Sequence, residues 1–224
     1  MIRRHLTLVL ALVAAPAVAL AARLLLTPWL QTDNKTDWDR ILTAIAENQT
    51  AHETGVLLTY LSGLLYAVAA VAVGQMAREG SRRLAGTGQV LAVVGGFGLV
   101  DFAEVTLLAS SATRVDDREA MVSFFDTAST APLGFIGYLL LVIGAVGWLL
   151  LGAALFRTRT GMRIAAVIVG IGGAGVMLTA PGPLVSFIAG SALVSLVGLG
   201  WLAASRPGDG PREGVSPDGT RDRA

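Results

Sequence analysis

Asp101 and Glu104 stand in the stretch LVDFAEVTLL (residues 99–108), two carboxylates among leucines, valines and a phenylalanine. In so apolar a run, acidic side chains are the groups best suited to bind a cation, carry a proton or hold a basic partner. A spacing of i, i+3 puts both on one face of a helix. Their run starts at Gln89 and is long enough to span a bilayer, whose apolar core of about 30 Å takes about 20 residues. At about 1.5 Å per residue, Asp101 lies about 18 Å along it and Glu104 about 22 Å. A charge at that depth costs about 2.5–3.5 kcal/mol even on insertion scales, so both carboxylates are expected to face the bundle with a partner, or to be protonated. Arg23 is the candidate partner, because counted from Leu6 it lies about 26 Å along its own span, near the depth of Glu104. The expectation is a salt bridge between Arg23 and Glu104, with Asp101 left to hydrogen-bond or titrate. Structural glue outweighs a solute or proton pathway here, since Glu104 is within about two turns of the end of its span and Arg23 can snorkel outward.

Other chemistries find no support in the residues. GFGLVD (96–101) has glycines before an aspartate, as in intramembrane aspartyl proteases, but two residues separate Gly98 from Asp101 and no other span has an Asp to complete a dyad. AGSA (189–192) is not the serine motif of rhomboid proteases, and no span holds a histidine. HETGV starts like a zinc-protease helix but lacks the second histidine four residues on. His5 and His52 are the only histidines, so a paired-histidine haem site fails, and no Gly-Lys phosphate loop is present. His52 and Glu53 with Asp116, Asp117 and Glu119 have no fixed ligand spacing, so no metal site is assigned. The chain has no cysteine, which removes disulfides, thiolate ligands and cysteine nucleophiles. No catalytic constellation, cofactor site or enzyme activity is read from the sequence.

The elements that must position the acidic pair are legible from composition. With 54% hydrophobic and 15% charged residues and a mean hydropathy of +0.66, a chain of 224 residues cannot hide its apolar surface in a soluble fold. Six stretches reach or approach the length of a span: residues 6–26, 55–77, 89–110, 133–156, 162–180 and 184–204. APGP (180–183) separates the last two, with Pro183 placed to open a helix. The predicted fold is all-α, a polytopic transmembrane bundle of six spans.

Charge gives the direction. Twelve arginines, among them Arg3, Arg4, Arg78, Arg82, Arg83, Arg157, Arg159 and Arg163, fall on one side of these spans; Lys35, Arg40, Arg114 and Arg118 fall on the other, among many acids. Basic residues mark the cytoplasm, so both termini are expected inside. The first span also has the basic start and A-x-A sites of a signal peptide (Ala17–Ala22), but its apolar run continues through RLLLTPWL to Leu30, which favours a retained helix. Heavy use of Arg, Ala, Gly and Val suggests a high-GC bacterial genome, and so the inner membrane. Basic residues in short clusters between apolar runs give no nucleic-acid surface.

Both outer loops read as short amphipathic helices. Trp38, Ile41, Leu42 and Ile45 follow helical spacing after a capping-box pair, Thr36 and Asp39. Met121, Val122 and Phe125 share a face after the acidic start DDRE (116–119). Interfacial anchors are the favoured reading and lids over a cavity the other. The tail from 205 to 224, with Pro, Gly and both charges and no apolar periodicity, is expected to be disordered.

A basic start, a long outer loop after helix one, another after helix three, and a leucine-rich fourth helix ending in a basic turn (GWLLLGAALFRTRTGMRIA, 147–165) resemble uncharacterised six-helix bacterial membrane families. The resemblance covers most of residues 1–204 in organisation and implies no activity and no functional residues. The expected role is therefore a structural or interaction subunit of the envelope, with lipid and another membrane protein or a second copy as partners. The alternative is a small-solute or proton-coupled transporter using Asp101 and Glu104.

Overall fold

The computed structural model describes residues 2–26, 37–130, 132–158 and 163–179, and all the secondary structure described is helical. The helices are α1 (Ile2–Leu25), α2 (Trp38–Glu47), α3 (Gln49–Ala77), α4 (Arg82–Ala112), α5 (Arg118–Thr130), α6 (Pro132–Phe156) and α7 (Arg163–Thr179). The expected sixth span, the APGP turn before it, the tail, and Lys35 and Thr36 lie outside the described residues.

Among the described residues, three helices are long and apolar enough to cross a membrane: α3, α4 and the Phe135–Phe156 part of α6, with mean hydropathies of 2.1, 1.8 and 2.5. At about 1.5 Å per residue, α3 and α4 extend beyond 40 Å, more than the apolar core alone requires. They therefore start before the apolar runs do, at Gln49 and Arg82 rather than at 55 and 89. The apolar parts described in α1 and α7, Leu10–Leu25 and Ala166–Leu178, are shorter. Pro16 lies inside α1, a position that membrane helices tolerate because neighbours satisfy the freed backbone groups.

Each long helix packs chiefly on those adjacent to it in sequence, in the order α1, α3, α4, α6, α7. Small residues set the spacing. A Cβ on Gly63 would lie 2.7 Å from the carbonyl oxygen of Gly96, and one on Gly96 would lie 2.7 Å from that of Gly63. The same backbone-on-backbone approach joins Gly95 of α4 to Gly144 of α6, and Gly152 of α6 to Gly170 of α7. Between apolar helices in lipid no hydrophobic force remains, so close van der Waals contact of this kind is what holds them. Larger side chains fill the gaps: Trp148 is fully buried and meets Tyr66 edge-on at 6.1 Å.

The contacts also fix which ends lie together. Gly55 of α3 packs on Ala22 and Leu26, and Gly74 on Gln89. Gly80, in the α3–α4 turn, packs on the backbone of Ala154, Arg157 and Thr158. Arg78, Arg82, Arg83 and Arg157 are thereby gathered at one end of the bundle.

At the other end α2 and α5 pack on each other and on α4. Ile41, Leu42 and Ile45 are buried with Phe125, Ala109 and Ala112, and Trp38, Met121 and Val122 close the cluster. Trp38 stacks on Phe125 at 4.5 Å. The start of α2 differs from the expected Thr36 cap. Asp37 caps it, accepting from the Arg40 amide at 3.1 Å, because its carboxylate reaches the third amide of the helix.

Candidate functional site

The three sequence-derived candidates occupy three different environments. Arg23 is buried, 3% exposed, where α1, α3 and α4 meet. It lines a cavity of about 20 Å³ with Ala19, Leu26, Thr59, Ser62, Leu99 and Phe102. That volume holds one water molecule. Thr59 Oγ1 donates to the Gly55 carbonyl and Ser62 Oγ to the Thr59 carbonyl, each at 2.8 Å. With their protons so used, both hydroxyl oxygens remain acceptors, a setting that suits a guanidinium and a bridging water.

Asp101 is half-buried and meets Gly137 on α6; a Cβ at 137 would collide with the carboxylate, and the glycine leaves room for it. Glu104 is exposed on the flank of α4, close enough to Tyr60 of α3 for the two to interact electrostatically. No ion pair among the described residues joins Arg23 to either carboxylate. The helical repeat explains this. Leu99, Ala103 and Thr106 are the buried positions of this stretch, and at about 100° per residue Glu104 turns away from them. Arg23 and Glu104 agree in depth, but they face different directions.

A second polar group, next to the α2–α5 cluster, is better connected. Glu53 of α3 pairs with Arg114 just beyond α4. Its Oε1 also accepts from Ser110 Oγ at 3.3 Å. One turn before Ser110, the Thr106 carbonyl lies 3.1 Å from Nε2 of the buried His52 ring, the residue next to Glu53. Sequence reasoning weighs His52 and Glu53 only as cation ligands. Thr106, Ser110 and Arg114 recur at four-residue steps, and that polar stripe is the available signal. The carboxylate that a cation would need is committed to Arg114, and no group of three His, Asp or Glu suited to a metal occurs among the described residues.

Arg118 links the two short helices. Its Nε donates to Asp39 Oδ1 and its Nη2 to the Asp39 carbonyl, both at 2.6 Å, and Nη2 also reaches Thr43 Oγ1. The guanidinium so ties the start of α5 to the first turns of α2.

Comparison with protein-family models, curated proteins and solved structures finds no match to this chain.

Proposed function

We propose that the chain is a multi-span membrane protein serving as a structural or interaction subunit of a bacterial cell envelope. The observation that carries this reading is the placement of the acidic pair. Glu104 stands on the outer flank of α4 among exposed apolar side chains, Phe97, Val105 and Leu108. A carboxylate there costs about 2.5–3.5 kcal/mol at membrane depth, a cost that a partner helix with a basic or hydrogen-bonding group would remove. Backbone-close glycine contacts between successive helices support a rigid bundle in the same role.

Six spans with both termini in the cytoplasm of the inner membrane complete the proposal, and the two short helices then lie outside. Support comes from the three apolar helices and from the arginines gathered at the α3–α4 and α6–α7 turns.

Transport of a small solute or a proton through Asp101 and Glu104 is the alternative, favoured by the half-buried position of Asp101 between α4 and α6. One pair of variants separates the two. A photo-crosslinking residue at Phe97 should give a single discrete adduct that disappears in Glu104→Gln, while Asp101→Asn leaves it unchanged. A flux in proteoliposomes that Asp101→Asn abolishes, with no discrete adduct, would establish transport instead.

A further inference from the structure

An open groove of about 470 Å³ runs between α6 and α7 at the arginine-rich end, a volume in the range of about 300–1,000 Å³ usual for ligand sites. Its lining runs from Leu149 on α6 to Arg157 just past its end, about 12 Å along the helix axis. Gly152 and Gly170 form the floor, where the two backbones touch and no side chain intrudes. Val167 and Ile171 wall it with exposed aliphatic surface. The mouth is different in character. Phe156 and Arg157 line it, and the Arg163 guanidinium lies 5.4 Å from the centre of the Phe156 ring. Neither Arg157 nor Arg163 forms an ion pair with a described residue.

From this we infer that the groove binds an anionic phospholipid, one acyl chain lying along the α6–α7 floor and the phosphate held by Arg157 and Arg163. Charge complementarity selects this occupant. An apolar channel with two cations at its end matches a molecule with a hydrocarbon chain and a negative head, and basic pockets between membrane helices hold anionic headgroups in just this way. The geometry also asks for a thin chain rather than a helix at the floor, because the glycines there are already covered by each other. The inference requires only that the chain crosses a bilayer and is separate from the partner proposed for the Glu104 flank.

Native mass spectrometry of the purified full-length protein tests it, with dioleoyl phosphatidylglycerol and dioleoyl phosphatidylcholine titrated in parallel. Phosphatidylglycerol should bind more tightly, and Arg157→Gln with Arg163→Gln should abolish the preference at about fivefold per arginine. Both arginines are exposed, so those variants keep the fold. Ala153→Phe, which fills the groove from an exposed position, should weaken both lipids; Ile171→Trp does the same from the opposite wall. Glycerol 3-phosphate, a head without a chain, should not bind. Equal binding of the two lipids, or a preference unmoved by the arginine variants, would overturn the inference. So would binding that survives both groove-filling variants, which would mean that the rest of the chain or a second copy fills the groove. Tight binding of glycerol 3-phosphate would reduce the site to a bare phosphate contact.

Discussion

Whether two side chains meet inside a bundle depends on depth and on direction, and only depth is easily counted along a sequence. Arg23 and Glu104 agree in depth, yet Arg23 lies inside the bundle with Leu99 and Phe102 while Glu104 is exposed. The buried set Leu99, Ala103 and Thr106 is readable as a helical stripe. Which stripe faces α1 and α3 depends on the packing of three helices, which no single-helix pattern contains. Arg23→Ala and Glu104→Gln should therefore destabilise independently, their effects in denaturant titrations adding to within about 0.5 kcal/mol. Coupling beyond about 1 kcal/mol would reinstate the ion pair. At Gly144 the outcome should be harsher. Any side chain there meets the Gly95 backbone, and Gly144→Leu should cost at least the roughly 1–3 kcal/mol typical of overpacking, read as loss of folded protein by size-exclusion chromatography.

At the scale of elements, period 3.6 in the sequence locates α2 and α5 and names their apolar faces, but not what those faces meet. Lipid and a covered cavity are both open on that pattern alone. In the structure the two faces close on each other over Ala109 and Ala112 of α4, positions whose small size gives no signal of a docking surface. Trp38 and Phe125 form the centre of that contact. A double-mutant cycle of Trp38→Ala and Phe125→Ala should return a coupling of about 0.5–1.5 kcal/mol, the range of aromatic pairs. A value near zero would mean that the helices lie apart, each on the lipid surface. Arg118→Ala should cost less, under about 1 kcal/mol, because the Arg118 and Asp39 side chains are 47% and 66% exposed.

For the whole molecule, the distribution of charge is what the proposed direction in the membrane rests on. Arg78, Arg82, Arg83 and Arg157 meet at one end because Gly80 packs against the last turn of α6. Asp37, Asp39, Glu53, Asp116 and Asp117 belong to the end where α2 and α5 close on α4. Positive charge near the ends of spans favours the cytoplasm, whereas acids contribute little, so the proposed orientation rests on the arginine turns. The lack of any native cysteine makes this directly testable. In whole cells, a single cysteine at Glu79, in the arginine-rich turn, should resist a membrane-impermeant maleimide until the membrane is permeabilised. One at Asp117, at the start of α5, should label at once. Both positions are exposed, so failure to label at Glu79 reports the membrane and not burial in the protein. The reverse pattern would invert the bundle and put α2 and α5 in the cytoplasm. Labelling of both in intact cells would mean that α4 does not cross the bilayer, because Glu79 and Asp117 flank that helix and α4 is the only long helix between them.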